Sequence, residues 1–310
     1  MNLDQLRGFA EVARTGHFTR AAERLHLAQP SLSRQIAGLE QEFGVELFHR
    51  ARGNVALTAA GERLLPFARR MLADADTARG EMAELAGLKR GRIRLGATPT
   101  LCTSLVAEVL AEFRGRYPGV DIEILERGSR SLITELMEGG LDLALIVTSV
   151  SSGAARAVLE REPILRERLV AVSAVDGPDP FAGAAPVNLE ALAGVPQIVF
   201  PESYDLRAAT DAAFRDAGVE PLVAVEGAEM DAALSFAERG VGAAVVPAMV
   251  AADRAKLRVT TLEGDGLTRT ISIARRSDMA PTHAAAAMQA IIRQVADRLA
   301  DAEGDLLARA

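Results

Sequence analysis

The sequence predicts a mainly helical N-terminal segment that is joined by one long helix to a larger α/β region. Two short amphipathic segments separated by a tight turn lie between Phe18 and Ile36. Apolar residues then recur at steps of three and four from Thr58 to Leu88, and strand-like and helical segments alternate after Gly91. A chain of 310 residues is long enough for two or three packed units of this kind.

The composition is that of an ordinary soluble protein, with 49% hydrophobic and 25% charged residues. No apolar run reaches the roughly 20 residues of a membrane span, and the N-terminus lacks a basic region followed by an apolar stretch. We therefore expect a cytoplasmic protein with no membrane contact. A single cysteine, Cys102, excludes an internal disulfide and a multi-cysteine metal site, and we expect no cofactor.

The segment from Phe18 to Ile36 has the pattern of a helix-turn-helix. Apolar residues of both short helices are spaced for mutual packing, whereas small polar and basic residues fall at the start of the second helix. Such residues can bind base edges and phosphates. The predicted DNA contacts in this segment are Thr19, Gln29, Pro30, Ser31, Ser33 and Arg34. Helical triplets of this type also serve as protein-docking surfaces, which is the alternative.

A short β-wing is predicted after the second helix, with Arg52-Gly53-Asn54 in its turn and Thr58 as the cap of the next helix. Arg50 and Arg52 add two cations to the three arginines between Phe18 and Leu39. The net charge of -7 argues against DNA binding only at first sight, because this region is locally basic. We expect Thr19, Arg50 and Arg52 to contact phosphates or the minor groove.

The run from Leu3 to Gly61 resembles the DNA-binding module of the LysR-type transcriptional regulators. It has, in order, that family's paired alanines, Gln-Pro-x-x-Ser, Leu-Glu, Leu-Phe-x-Arg and Leu-Thr-x-Ala-Gly. The resemblance implies a winged helix-turn-helix over residues 1–58. Ala28 departs from the pattern, since the family usually has a serine there that caps the recognition helix, and we expect Gln29 or Ser31 to compensate.

A long helix is predicted from Thr58 to about Leu88, with Pro66 in its first two turns. Its apolar residues recur like a coiled-coil seam, which predicts a dimer. They are Leu64, Ala68, Met71, Ala75, Ala78, Met82 and Leu85. In the family this is the linker helix that forms the dimer, here residues 59–88. The alternative is that the seam packs against the chain's own C-terminal domain.

The remaining two thirds of the chain predict open α/β sheets. The predicted strands are Ile93 to Ala97, Asp121 to Glu126, Leu143 to Val147, Leu169 to Ser173, Gln197 to Phe200, Val223 to Glu226, Ala243 to Val246 and Thr270 to Ala274. The LysR resemblance continues here more loosely, in Phe113 to Val120, Gly140 to Leu143 and Gly240 to Pro247.

By that resemblance, residues 91–300 form a two-lobed effector-binding domain that is similar to periplasmic binding proteins. Residues 91–163 and 268–297 would make lobe I, and residues 164–267 would make lobe II. Strands around Arg166 to Val170 and Thr268 to Ile273 would cross between the lobes as a hinge. A ligand in such a fold lies between the lobes, outside the carboxyl ends of the strands.

The residues after these strand ends form the candidate effector site. Hydroxyls and backbone N–H groups at helix starts favour an anion such as a carboxylate. The predicted contacts are Thr98, Thr100, Ser129, Arg130 and Thr148 from lobe I, and Phe200, Ser203 and Tyr204 from lobe II, with Phe200 as an apolar wall. Taken singly, each hydroxyl is better explained as a plain helix cap, and Arg130 as a solvated surface arginine. Their convergence is what predicts a site.

These observations favour a LysR-type transcription factor that binds double-stranded promoter DNA as a homodimer or homotetramer. A small anionic metabolite in the cleft would modulate it, and RNA polymerase is a further candidate partner. One alternative is a constitutive DNA-binding protein without an effector, which ligand-dependent thermal stabilisation would distinguish. Another is an enzyme fused to a DNA-binding head, but no His/Ser/Asp set or Gly-rich nucleotide motif follows a strand.

Overall fold

The computed structural model describes residues 1–51, 54–85, 91–148, 159–202, 204–252, 254–264 and 267–310. The helices in these ranges are α1 (Leu3–Thr15), α2 (Phe18–Arg24), α3 (Gln29–Phe43), α4 (Ala59–Leu85), α5 (Pro99–Cys102), α6 (Leu105–Arg116), α7 (Ser129–Met137), α8 (Leu189–Ala193), α9 (Asp205–Asp216), α10 (Met230–Glu238), α11 (Ala248–Ala251) and α12 (His283–Glu303). None of them combines the length and the apolar composition that a membrane crossing requires.

The strands are β1 (Phe48–Ala51), β2 (Asn54–Leu57), β3 (Gly91–Ala97), β4 (Val120–Glu126), β5 (Leu143–Thr148), β6 (Leu159–Ala174), β7 (Gln197–Val199), β8 (Val223–Glu226), β9 (Ala244–Pro247), β10 (Leu257–Thr261), β11 (Thr268–Arg276) and β12 (Leu307–Arg309). Each strand that the sequence predicts in the α/β region overlaps one of these.

The N-terminal module packs α1, α2 and α3 around a small core that includes Phe9, Leu32, Ile36 and Phe48. The α1 helix begins with a capping box, in which Asn2 and Gln5 exchange side-chain and backbone hydrogen bonds. The β1 and β2 strands pair as an antiparallel ribbon, which confirms the predicted wing. The Thr58 hydroxyl accepts a hydrogen bond from Gly61 N at 3.1 Å, so the predicted cap of α4 is also present.

Among the described residues, the α/β region has two sheets that share one long strand, and β7 and β8 pair separately as a two-stranded parallel sheet. The strand order is β10-β6-β11-β5-β3-β4, and β9 and β12 also pair with β6. The first part of β6 pairs with β11, whereas residues from Leu169 onward pair with β9 and β10. Hence β6 passes from the sheet of β3, β4, β5 and β11 into that of β9 and β10, and we call these two halves lobe I and lobe II.

The β6 strand begins at Leu159 rather than at the predicted Leu169. Its first half is rich in charges and contains Pro163, features that argue against a strand in a sequence. In the structure Pro163 lies where the β6–β11 register shifts, opposite Ser272, so the missing N–H falls at an irregularity of the ladder. Because this irregularity accommodates Pro163, the strand is longer than its sequence pattern predicts.

Candidate functional site

The turn between α2 and α3 brings the start of α3 to the surface. His26 adopts a left-handed φ of 54°, and Leu27 N donates to Ala22 O at 2.9 Å, which reverses the chain tightly after α2. Leu32, Ile36 and Leu39 bury one face of α3 against α1 and α2. The opposite face therefore remains available to a partner.

Most of the predicted DNA contacts lie on that available surface. Thr19, Gln29, Pro30 and Arg34 are exposed, whereas Ser31 and Ser33 are half-buried. The Gln29 amide donates to the Ser33 hydroxyl at 2.9 Å, and Arg34 Nε lies 3.3 Å from Pro30 O. Arg50 lies on β1, at the wing. Arg52 lies outside the described residues.

The start of α3 lacks the side-chain cap that we expected Gln29 or Ser31 to supply. Ala28 occupies the cap position with extended φ and ψ angles of -71° and 135°, and among the described residues no side chain caps the start of this helix. Gln29 instead bonds Ser33 along the helix. That expectation was wrong, because both side chains lie inside the first turn, where they project outward from the backbone N–H groups that need acceptors.

An ion-pair cluster holds α2 against α1. Arg24 Nε lies 2.9 Å from Glu11 Oε1, and Arg14 Nε donates to Glu11 Oε2 at 3.0 Å. The hydrogen bond from Arg14 lowers the pKa of Glu11, and the positive charge of Arg24 adds to this effect against partial burial. Arg24 is therefore committed to positioning α2.

The long helix α4 uses its faces differently along its length. Near its start, Leu64, Ala68 and Met71 pack into the core of the N-terminal module. Phe67 and Met82 are each 61% exposed. The predicted seam is therefore divided: its first part serves the chain's own N-terminal module, and Ala78 and Met82 face outward.

A third face of α4 docks on lobe I. Arg276 is 8% exposed and lies 3.0 Å from Asp74 and 2.9 Å from Asp278. A Cβ atom on Gly139 would lie 2.8 Å from the Ala73 Cβ, so the helix approaches the lobe closely there. The part of α4 around Ala73 and Asp74 thus packs against the C-terminal domain, as the alternative interpretation predicted for the seam. Ala78 and Met82 stay exposed.

A cleft of about 500 Å³ separates the two lobes, within the range of small-molecule sites. Thr98, Thr100, Ser129 and Arg130 line it from lobe I, and Tyr204 lines it from lobe II. These five predicted residues are thus brought together around one cavity. Arg130 is exposed, whereas Thr98 is 7%, Thr100 7% and Ser129 5% exposed.

The other predicted cleft residues have different positions. Phe200 does not line the cavity, contrary to the expected apolar wall: it is 3% exposed in the lobe II core and stacks on Tyr204, with ring centroids 5.8 Å apart. The Ser129 hydroxyl accepts from Val147 N at 3.0 Å and so also fastens α7 to β5. Thr148 ends β5. Ser203 lies outside the described residues.

A buried polar chain crosses the floor of the cleft from one lobe to the other. Arg269 Nη1 donates to Thr100 Oγ1 at 2.8 Å, and Arg269 Nε lies 2.7 Å from Glu167 Oε2. Glu167 Oε1 accepts from Met249 N at 2.8 Å, at the start of α11 in lobe II. Glu167 is 0% exposed, so the pair satisfies two charges that would otherwise be costly to bury.

Two polar groups near the cleft have strongly shifted pKa values. Burial raises the pKa of Tyr204, and its hydrogen bond to Glu229 raises it further, so the phenol stays neutral. Burial likewise raises the pKa of Cys102 to about 11, with a smaller contribution from Glu126. Cys102 is half-buried and packs against the lobe I core, and its thiol is protonated at neutral pH.

Two family models match successive parts of the chain. Residues 3–62 match the helix-turn-helix model of bacterial regulatory proteins of the LysR family. Residues 86–297 match the LysR substrate-binding domain. The chain belongs to the LysR family of bacterial transcription regulators. It is thus a DNA-binding regulator with an effector-binding domain, and the predicted winged helix-turn-helix and two-lobed α/β fold are confirmed.

Curated relatives of this LysR-type regulator match most of its length. It is 32% identical over 247 residues to a probable nitrogen assimilation transcriptional activator of Synechococcus elongatus, covering 80% of this chain and 79% of that protein. It is 30% identical over 303 residues to the transcriptional regulator IlvR of Caulobacter vibrioides, covering 96% of this chain and 98% of the relative.

Solved full-length regulators share the fold. A full-length, single-substitution variant of OxyR from Pseudomonas aeruginosa superposes with a TM-score of 0.73 at 25% identity, covering 96% of this chain and 94% of that one. CbnR in complex with its target DNA gives a TM-score of 0.67 at 25% identity, with coverage of 96% and 99%.

Sequence reasoning missed four charged residues of the cleft. Arg269 and the carboxylates of Glu202 and Asp205 line it, and Glu167 lies beneath Arg269. Arg269 lies in the alternating run Thr-Arg-Thr-Ile, which reads as an ordinary strand. Asp205 is the first residue of α9 and reads as a favourable charge at a helix start. Only the placement of β11 and α9 shows that these groups share one cavity.

Proposed function

We propose that this regulator reads promoter DNA through α3 as a homo-oligomer and that a small molecule bound between the lobes changes how the paired modules lie on DNA. The exposed start of α3 is the observation that supports DNA recognition. Gln29 and Arg34 lie there, on a surface that the packing of α3 leaves exposed. The relatives that span most of the chain are named as transcriptional regulators. That supports a binding rather than a catalytic role for the cleft, and a cytoplasmic location.

The roles of the individual DNA contacts follow from their chemistry. Gln29, Ser31, Ser33 and Arg34 are assigned to base edges, because amide, hydroxyl and guanidinium groups match the donors and acceptors of the major groove. Pro30 shapes the start of α3. Thr19, Arg50 and Arg52 are assigned to phosphates or the minor groove. CbnR, solved with its target DNA, supports this docking as a similar full-length protein.

Self-association is assigned to the exposed apolar face of α4. At 100° per residue, the exposed residues Phe67, Ala78 and Met82 fall within an arc of roughly 60°. A second copy of α4 that covers this face would remove from water two large apolar side chains that are each 61% exposed. A pair of α4 helices would hold two reading modules at a defined separation, as two half-sites of DNA require.

The interface assignment has a direct test in solution. Met82→Glu is expected to shift the oligomer toward monomer in sedimentation velocity at low micromolar concentration, because it buries a charge against the partner helix. Gly80→Glu is the matched control: it adds the same charge elsewhere on α4, at a position where a Cβ meets nothing within 4 Å. Equal effects of both variants, or none from Met82→Glu, would contradict the assignment.

The effector site is assigned to the cleft, with the predicted lobe boundaries kept as part of this proposal. Helix-start hydroxyls of Thr98 and Thr100 line its lobe I side, together with Arg130 and Arg269. This donor set supports a ligand with at least one carboxylate-like group. Binding that contacts both lobes shifts the population of lobe arrangements by its differential affinity for them. RNA polymerase stays a predicted partner of the DNA-bound form.

The DNA-reading proposal is tested by fluorescence anisotropy with the gene's own upstream DNA and unrelated DNA, at two salt concentrations. Arg34→Ala is expected to weaken binding to the upstream DNA by about tenfold and to reduce discrimination between the two DNAs. Arg215→Ala, which removes an arginine from α9 in lobe II, is the control and is expected to change neither. Sequence recognition by α3 would be contradicted if the protein bound both DNAs equally, if the higher salt concentration abolished that binding, and if Arg34→Ala did not change it.

A further inference from the structure

The two walls of the inter-lobe cleft carry opposite charges. On the lobe I side and the floor, the lining includes Thr98, Arg130 and Arg269. On the lobe II side, the lining includes Glu202 and Asp205. A ligand that fills the cleft therefore meets hydrogen-bond donors and guanidinium groups at one end and carboxylates at the other.

Two buried donors among the residues that line the cleft lack a partner within the described part of the chain. Thr98 Oγ1 and Arg269 Nη2 are fully buried atoms without a hydrogen bond. Thr98 is 7% exposed, and the Arg269 side chain is 10% exposed. Buried polar groups are almost always hydrogen-bonded, and an acceptor group of a ligand in the cleft would satisfy these two atoms.

The charge of Arg269 is already balanced at the other end of its guanidinium group. Its Nε and Nη1 atoms are occupied by Glu167 and Thr100. Only Nη2 is left for a ligand, with the exposed guanidinium of Arg130 nearby on the same cavity. This arrangement fits one carboxylate group rather than a multiply charged anion.

The lobe II wall is acidic and has no compensating cation on the same helix start. Glu202 is exposed and Asp205 half-buried, and neither forms an ion pair among the described residues. Arg207, which follows on α9, is taken up by Asp211 at 2.8 Å and Glu226 at 3.0 Å. A purely anionic ligand long enough to reach this wall would face repulsion, whereas an ammonium group would be attracted.

A further carboxylate lies beside the same wall. Tyr204, which follows Glu202 and precedes Asp205 in the chain, lines the cavity and donates its hydroxyl to Glu229. Glu229 thus adds a negative charge next to the lobe II side of the cleft.

We propose that the effector is a small amino-acid-type zwitterion whose carboxylate is bound by Thr98 and Arg269 and whose ammonium group faces Glu202 and Asp205. This inference rests on the proposed role of the cleft as the effector site. It replaces the simple anion that the sequence predicts by a ligand with both charges. Because the two ends of the ligand bind different lobes, its binding favours one relative arrangement of the lobes.

The test compares three matched ligand sets on the full-length protein by thermal unfolding and isothermal titration calorimetry. The first set is the proteinogenic amino acids and the ω-amino acids from β-alanine to 6-aminohexanoate. The second contains the corresponding carboxylic acids without the amine, and the third the corresponding amines without the carboxylate. We expect at least one member of the first set to raise the unfolding temperature and to bind at least about tenfold tighter than both its analogues.

Variants assign the ammonium end to the acidic wall. Glu202→Gln combined with Asp205→Asn is expected to weaken binding of the amino acid by at least about tenfold while leaving, or improving, binding of its deaminated analogue. Glu190→Gln, which removes a first-turn carboxylate of α8 outside the cavity, is the matched control and is expected to change neither. Thr98→Val is expected to weaken the amino acid and the deaminated acid alike.

The outcomes separate this inference from the proposed function. If the deaminated acids bind as tightly as the amino acids or more tightly, and the double variant changes neither, the effector is not a zwitterion. The cleft would then remain an effector site for anions. Binding by no amino acid of the first set overturns it as well. Loss of sequence discrimination in the anisotropy assay contradicts the proposed DNA-reading function, whatever the ligand sets show.

Discussion

Arg269 on β11 and Glu167 on β6 are opposite residues of two paired strands, and they form an ion pair with Nε 2.7 Å from Oε2. Because Glu167 is 0% exposed, removal of one partner leaves an uncompensated buried charge. We expect Arg269→Met to lower the free energy of unfolding by about 3–5 kcal/mol. Urea denaturation followed by circular dichroism measures the change.

The matched comparison is the double variant Arg269→Met with Glu167→Met. Replacing both charges by apolar groups of similar volume removes the uncompensated charge. The double variant is therefore expected to be more stable than Arg269→Met alone. If the destabilisation of the double variant equals the sum of those measured for Arg269→Met and Glu167→Met separately, the two residues do not act as one unit.

The contact between Asp74 on α4 and Arg276 at the end of β11 connects the linker helix to the strand that carries Arg269. From Arg269 to Arg276, β11 spans roughly 23 Å at 3.3 Å per residue, so one strand reaches from the cleft to α4. We expect Asp74→Asn to loosen the docking of α4 and to increase amide hydrogen exchange between Arg69 and Thr77 by several-fold. Mass spectrometry of peptic fragments measures this exchange.

Asp76→Asn is the control for Asp74→Asn, because Asp76 is exposed and its ion pairs are with Arg79 on the same helix at 2.9 Å and with Arg7 on α1 at 3.8 Å, not with Arg276. Exposed pairs contribute little, so α4 exchange should stay near its original rate in this variant. If Asp74→Asn and Asp76→Asn raise exchange equally, Arg276 does not hold α4 on lobe I.

The helix-turn-helix could be predicted from sequence because its determinants are local. Leu32, Ile36 and Leu39 follow the helical period, and their spacing alone places the opposite face outward. The Arg269–Glu167 pair could not be predicted, because its partners are separated by 102 residues and meet only when two strands become neighbours. Phe200 was misplaced for a related reason: the strand pattern predicts the end of β7 but not which side chains there face the cavity.

Acid should weaken the packing of α2 on α1 through Glu11. Its pKa is lowered in the folded protein by Arg14 and Arg24, so its contribution to stability is present above the ordinary value of 4.5 and is lost as the pH falls below it. Glu11→Gln is expected to cost roughly 0.5–1.5 kcal/mol at pH 7 and progressively less as the pH is lowered from 4.5 toward 3. Unfolding measured across this range tests the sign: a constant difference would contradict the proposed linkage.

Close packing of α1 on α3 depends on Gly8. A Cβ atom at this position would lie 2.7 Å from the Cδ1 atom of Leu32, which is itself fully buried. Gly8→Ala is expected to destabilise the protein by about 1–3 kcal/mol through overpacking. Gly80→Ala is the matched helical control, since its Cβ meets nothing within 4 Å. It should stabilise by about 0.5–1 kcal/mol through helix propensity. Urea midpoints that move in the same direction for both variants would contradict the packing argument.

The uncapped start of α3 can be repaired at Ala28. The residue already has the extended backbone of a cap position, so a serine hydroxyl placed there can accept from an N–H of the first turn without a change of backbone. Ala28→Ser is expected to raise the free energy of unfolding by about 0.5–2 kcal/mol, whereas Ala28→Val, which has no acceptor, should not.

Because α3 carries Gln29 and Arg34, the serine variant should also hold the DNA-contacting surface more rigidly. We expect slower amide exchange in the first turn of α3 together with DNA affinity that is equal to or tighter than that of the original protein. A gain in stability with a loss of DNA affinity would mean instead that the free helix start adapts to the DNA when it binds.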